Sequence, residues 1–418
     1  MINIELDMMQ TMAAGILALL LGILLNRRSR FLRGICIPAP VTGGIIFSLF
    51  TLAIYGIWGT EIKFDATLKD ICMVVFFTTV GFQSNLTVIK EGGRPLAFMV
   101  LLIATLIVCQ NLIGVGIAEG LGISPLLGLS AGSITMCGGH GTAAGFSSLL
   151  AENGLEAAAS VTMAAATFGL LGGSLLGGPL AERIIRNKGL AAAAAIPAAT
   201  DNAKKAAMKE AAKEATAREA AETTVIAKSD GLTPSGFAKA SYEIFIAAGI
   251  GTLLNKLLAL TGISFPTYFG ALIVAAIIRN VTELVPGCPK TSMNEISAIG
   301  GVSLSLFLGM AMVTLRLWEL SGLALPLVII LCAQILFMFL FGRWVAFPLL
   351  GKNYDAAVLV SGVCGFGLGA TPNAMANMSA VCGKYHYTTM PFVVVPVVGA
   401  IFVDIINIGI ITLFLNII

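Results

Sequence analysis

Cys137-Gly138-Gly139-His140-Gly141-Thr142 interrupts a run of 32 uncharged residues lying between Glu119 and Glu152. A single straight helix of that length would be ~48 Å long, well beyond the ~30 Å of hydrocarbon in a bilayer. Two complete crossings would need ~40 apolar residues. A hairpin of two short arms around the glycine break, at about 120–151, fits the length. It enters and leaves on the same side.

The surrounding composition sets the solvent. The chain is 57% apolar and 11% charged, with a mean hydropathy of +0.94, whereas soluble domains carry about 25% charged residues. Lipid therefore surrounds most of it. A net charge of +3, with no basic patch interleaved with aromatics, speaks against nucleic acid as a partner. The cysteines at 36, 72, 109, 137, 288, 332, 364 and 382 have no metal-type spacing and read as small packing residues. Met1 to Gln10 contains Glu5 and Asp7 rather than basic residues, so no secretory leader is expected.

Apolar runs long enough to span lie at about 8–26, 40–58, 71–89, 95–118 and 157–181, and again at about 240–258, 266–282, 296–315, 320–342 and 390–416. A second uncharged, glycine-rich stretch lies at about 356–383. With the N-terminus outside and both glycine-rich stretches re-entrant, 21 Lys and Arg residues fall inside; only Lys63, Lys69, Lys256 and Arg316 fall outside. That is a strong positive-inside bias. It predicts a multi-pass membrane protein with both termini outside.

An internal repeat fixes the second hairpin. Leu24-Leu25-Asn26-Arg27 recurs as Leu253-Leu254-Asn255-Lys256, and Pro40 with Gly44 recurs as Pro266 with Gly270. Gly138-Gly139-His140-Gly141-Thr142 aligns with Gly367-Leu368-Gly369-Ala370-Thr371. The matches are collinear. The expected fold is an all-α polytopic membrane protein of two inverted repeats, each with five transmembrane helices and one re-entrant hairpin. Residues 1–185 form the first repeat and 240–418 the second. Between them, 186–239 reads as a cytoplasmic Ala/Lys/Glu-rich linker, with Lys205, Lys209 and Lys213 at helical spacing. Inverted repeats with broken helices are the architecture of secondary transporters, which bind at the midplane. A channel or a purely structural membrane protein would leave two matched hairpins without a purpose.

The breaks supply chemistry. Glycine lets backbone N–H groups approach a ligand, and a helix starting at a break offers unpaired donors and a positive dipole end. The second arms are expected to start near Gly141-Thr142-Ala143 and Thr371-Pro372-Asn373. Two such starts facing one another form a donor-rich pocket suited to a substrate with more than one carboxylate. The candidate substrate residues are Gly138, Gly139, His140, Gly141, Thr142, Gly367, Gly369, Thr371, Asn373 and Asn377. His140 reads either as a substrate donor or proton carrier, or as a neutral ring satisfied by backbone. Gly173 and Gly177 read as helix-packing glycines. For a hard cation such as sodium, oxygen ligands are needed. Ser84, Asn85, Asp404 and Asn407 are the candidates, and Asp404 stands out because an intramembrane carboxylate is costly and functional by default. Spaced i, i+3, Asp404 and Asn407 share a helix face.

At these positions the sequence resembles the bacterial sodium/glutamate symporter family. Cys137-Gly138-Gly139-His140-Gly141-Thr142-Ala143 is similar to the family's first hairpin signature, and Gly365-Phe366-Gly367-Leu368-Gly369-Ala370-Thr371-Pro372-Asn373-Ala374 to its second. The similarity extends to Asp404 and Asn407. It implies import of L-glutamate with sodium as coupling ion, no other cofactor, an elevator-like alternating-access movement and a homodimer. A carrier of another carboxylate such as citrate or malate, and a sodium/proton antiporter using Asp404 and His140, are the alternatives. An enzyme is not expected, since no nucleophile–base pair or metal cluster is evident.

Overall fold

The computed structural model describes residues 3–29, 32, 37–84, 87–190, 232–285 and 291–418. Asn85 and most of the expected linker lie outside these. The described edges of the linker belong to helices, which run to Lys188 on one side and start at Pro234 on the other.

The helices are α1 (Met8–Arg28), α2 (Ala39–Trp58), α3 (Thr67–Gln83), α4 (Thr87–Gly120), α5 (Pro125–Ser130), α6 (Ser133–Met136), α7 (Gly139–Glu152) and α8 (Ala158–Lys188). The second half adds α9 (Pro234–Ala259), α10 (Phe269–Leu284), α11 (Met293–Val313), α12 (Ala324–Leu349), α13 (Tyr354–Gly367), α14 (Thr371–Lys384), α15 (Met390–Val398) and α16 (Asp404–Leu415). Seven of these are long and apolar enough to cross a membrane: α1, α2, α4 from Leu96, α8, α9, α11 and α12. The expected spans at 71–89 and 266–282 are shorter helices, α3 with 17 residues and α10 with 16. The last expected span is divided by a π turn at Gly399–Val403, immediately before Asp404. One departure from the all-α expectation is a pair of short parallel strands, β1 (Asn3–Leu6) and β2 (Glu61–Phe64). Both are too short and polar to register in a hydropathy reading.

The chain forms two compact units, and each draws on both halves of the sequence. Unit 1 comprises Met1–Thr87, Ala144–Ser160 and Ala220–Leu323; unit 2 comprises Val88–Ala143, Val161–Glu219 and Ala324–Ile418. In unit 1, α1 packs on α2 and α9 packs on α10. Both pairs meet backbone to backbone: a Cβ at Gly22 would strike Ala39 O, and one at Gly251 would strike the Ala271 backbone. Without a hydrophobic drive between helices in lipid, such close small-residue packing is what holds them. Each pair is also locked by an asparagine. Asn26 Nδ2 donates to Ile37 O at 2.9 Å, and Asn255 Nδ2 donates to Pro266 O at 3.4 Å, each eleven residues away. The repeated Leu-Leu-Asn motif thus does the same structural task twice.

The core of unit 1 gathers Phe82, Ala240, Ile244, Ala247, Val274, Ala275 and Ile296. Beside it Phe77 stacks on the fully buried Tyr268 at 3.7 Å, with Phe146 edge-on at 6.2 Å; such pairs add ~0.5–1.5 kcal/mol each beyond area burial. Arg316 bridges Glu61 at 2.9 Å and Glu319 at 3.3 Å.

Candidate substrate and ion site

Unit 2 contains both helix breaks. In the first, α5 starts at Pro125 with Ser124 capping it through Leu126 N, and α6 follows after Ala131-Gly132. The chain then breaks at Cys137-Gly138 and resumes as α7 at Gly139, two residues earlier than expected. Gly139 has φ +58°, a left-handed backbone that side-chain-bearing residues rarely adopt. In the second, α13 ends at Gly367, and α14 starts at Thr371 with Pro372 in its first turn, as expected. No side chain caps α14, leaving its first-turn N–H groups to seek another acceptor.

The two breaks touch. A Cβ on Gly139 would lie 2.6 Å from Gly369 O, so the tips approach as closely as bare backbone allows. Gly138 is closed in by Thr142: a Cβ on Gly138 would lie 2.5 Å from Thr142 Cβ. Gly141 falls in the first turn of α7, and Thr142 is buried. The carbonyl of Gly367 accepts Gln110 Nε2 at 2.7 Å, and Gln334 Nε2 donates to Gln110 O at 2.7 Å. Both glutamines are fully buried. They escaped the sequence reading because lone amides in apolar runs carry no motif.

His140 is buried and its Nε2 lies 3.0 Å from Thr167 Oγ1. The Thr167 hydroxyl donates to Met163 O at 2.9 Å, so it receives its hydrogen bond from an Nε2–H. In the neutral ring the acceptor is then Nδ1. His140 is thereby anchored to α8 by a side chain rather than by backbone.

Asn373 and Asn377 are buried and committed to α8. Asn373 Nδ2 donates to Leu170 O at 3.2 Å, and its Oδ1 accepts the Ser174 hydroxyl at 2.7 Å. Asn377 Nδ2 donates to Gly173 O at 2.9 Å and to Ser361 O at 3.3 Å. The helix-packing role expected of Gly173 and Gly177 is what the structure shows, because a Cβ at either would strike one of these amides. Gly369 packs on Leu170 in the same seam.

The α15–α16 segment reaches both breaks. A Cβ at Gly399, in the π turn, would lie 2.5 Å from Thr371 Oγ1. Four residues beyond the turn, Asn407 Nδ2 donates to Ser133 O at 3.1 Å. Asp404 lies between these points, within electrostatic reach of Cys137. A π turn of this kind often marks a functional position. Ser84 caps the end of α3 in unit 1, where its carbonyl accepts Asn280 Nδ2 at 2.8 Å. It therefore belongs to a different compact unit from Asp404 and Asn407.

Comparison with known proteins agrees along the whole chain. A family model described as Sodium/glutamate symporter matches residues 4–387. The chain is 40% identical over 416 residues to the Sodium/glutamate symporter of Escherichia coli (strain K12), covering 98% of each chain. It is 36% identical over 399 residues to the Sodium/glutamate symporter of Haemophilus influenzae, covering 95% of this chain and 94% of the other.

Proposed function

This chain belongs to the sodium/glutamate symporter family, and from that premise we propose that it imports L-glutamate across the bacterial inner membrane with sodium as the coupling ion. The family is one of transporters rather than enzymes. The observation that carries the reading is the meeting of two helix breaks at Gly139 and Gly369. An uncapped helix start at one break and a glycine-opened backbone at the other offer N–H donors to carboxylates without placing a lysine or arginine in the membrane. Thr142 and Thr371 add side-chain donors at the same tips, and His140 Nδ1 adds an acceptor. Asp404 and Asn407 supply hard oxygens for sodium on a single helix face.

In this reading the breaks are the tips of re-entrant hairpins in two inverted repeats. The matched locks of Asn26 and Asn255 support the repeat, as does the composition of each unit from corresponding pieces of both halves. Alternating access is then elevator-like: unit 2, with both breaks and Asp404, is the carrier, and unit 1, with its glycine-locked helix pairs, is the scaffold. The working form is a homodimer with both termini periplasmic. The test is uptake of labelled glutamate into proteoliposomes under an imposed sodium gradient, with aspartate and citrate as competitors. Accumulation that requires the gradient and is competed by glutamate supports the proposal; preference for citrate overturns the substrate assignment.

A further inference from the structure

Where α6 faces α16, the structure leaves buried oxygens without partners. Ser133 and Asn407 are both fully buried. Asn407 spends its Nδ2 on Ser133 O, yet its Oδ1 has no hydrogen-bond partner, and neither has Ser133 Oγ. Leaving such groups unmatched inside a protein costs ~1–3 kcal/mol each, so they point to an occupant. Asp404 lies one helical turn before Asn407 on the same face. Cys137, the residue that closes α6 one turn after Ser133, is within electrostatic reach of Asp404. The two helix faces are therefore in register, with a carboxylate at one end and neutral oxygens at the other.

The pocket is also built. Asn111, fully buried in α4, accepts Ser133 N through its Oδ1 at 2.8 Å. A Cβ on Gly132 would lie 2.6 Å from that same oxygen, so glycine is needed for the clamp to close. Asn111 thus sets where α6 begins and which way Ser133 faces. Its own Nδ2 is unpartnered and can steady Asp404 or a bound water.

We infer that Ser133 Oγ, Asn407 Oδ1 and the Asp404 carboxylate form a sodium site between the first hairpin's arm and the last helix, with Asn111 as its positioning residue. A hard monovalent cation matches the ligand set, which offers oxygens and no free imidazole or cysteine cluster. The inference rests on the sodium-coupled reading and extends it by naming Ser133 and Asn111. It also gives the ion a mechanical consequence. Ser133 lies four residues before Cys137 in the arm that leads into the Gly139 tip. A cation pinning Ser133 to α16 therefore steadies that tip against Gly369 before glutamate arrives.

The experiment uses purified full-length protein without glutamate, comparing thermal unfolding in sodium chloride and choline chloride, together with the sodium dependence of uptake. Sodium alone is expected to raise the unfolding temperature of the wild type. Ser133→Ala should lose most of that rise and need about tenfold more sodium for half-maximal uptake, with glutamate affinity restored at saturating sodium. Ser133→Thr, which keeps the hydroxyl, should retain the sodium response. If Ser133→Ala fails to fold, Asp404→Asn is measured in the same way and the same loss is expected. A folded Ser133→Ala or Asp404→Asn protein with wild-type sodium stabilisation and wild-type sodium dependence overturns the site and implies that water satisfies these groups. A wild type whose glutamate uptake ignores sodium overturns the symport reading itself, a separate result.

Discussion

The two breaks look alike in sequence and differ in how they use their polar groups. At the second, Asn373 and Asn377 spend their amides on Leu170 O, Gly173 O and Ser361 O, and Gly367 O is held by Gln110. At the first, Gly139 sits in a left-handed conformation, while Ser133 Oγ and its neighbour Asn407 Oδ1 remain unmatched. The second break commits its side-chain amides to neighbouring helices, whereas two buried oxygens beside the first stay unmatched. A shared glycine signature therefore marks where helices break, and the polar residues around it decide what each break does.

The largest effect that would break this comparison is at Gly139. Gly139→Ala adds left-handed strain of ~1–2 kcal/mol and drives a methyl against Gly369 O. Uptake is expected to fall about a hundredfold, equivalent to ~2.7 kcal/mol, with the protein still folded by size exclusion. Uptake at the wild-type rate would mean that the tips need not approach. Next is Asp404→Asn, expected to raise the sodium concentration for half-maximal uptake about tenfold, or ~1.4 kcal/mol, while expression is maintained. An unchanged sodium curve would remove Asp404 from the ion site.

Asn377→Ala sharpens the contrast from the other side. It removes two buried hydrogen bonds, to Gly173 O and Ser361 O, and should lower stability by ~1–3 kcal/mol, read from denaturant unfolding. The sodium requirement per folded molecule should not move. A shift in sodium dependence would show that the second hairpin also reads the ion. The smallest effect lies outside the membrane. Asp65 Oδ1 accepts Thr67 N at 2.8 Å at the start of α3, and hydrogen bonds from the Thr67 hydroxyl and then its backbone N–H hold the Asp65 carboxyl below the usual range. A lowered carboxylate stabilises the fold above its unfolded value of ~3.9 and loses that contribution as pH falls through the lowered value. A slight stability deficit of Asp65→Asn near neutral pH should therefore vanish under acid conditions.

Much of the fold was legible in the sequence because lipid imposes simple rules. Length and hydropathy located the seven long helices, and glycine clusters inside uncharged runs located both breaks to within a few residues. The motif around Asn26 and Asn255 was visible as a repeat, although its bonding role was not. Helices α3 and α10 are shorter, at 17 and 16 residues, than the apolar runs that located them, because those runs also take in residues flanking the helices. The grouping into two units is also hidden from a linear reading, since each unit gathers pieces from both halves. In the candidate site, Asp404 was conspicuous because charge is expensive in lipid. Ser133, Asn111, Gln110 and Gln334 were not. A single hydroxyl or amide in an apolar helix carries no periodic signal, and only the packing of α4, α6, α12 and α16 reveals which of them face one another.

The most direct measurement is the accumulation of labelled glutamate in proteoliposomes against its own gradient, with sodium imposed inward, outward or equal on both sides. The account predicts accumulation only with inward sodium, abolished by unlabelled glutamate and little affected by citrate. Accumulation without a sodium gradient, or a preference for citrate, would contradict it.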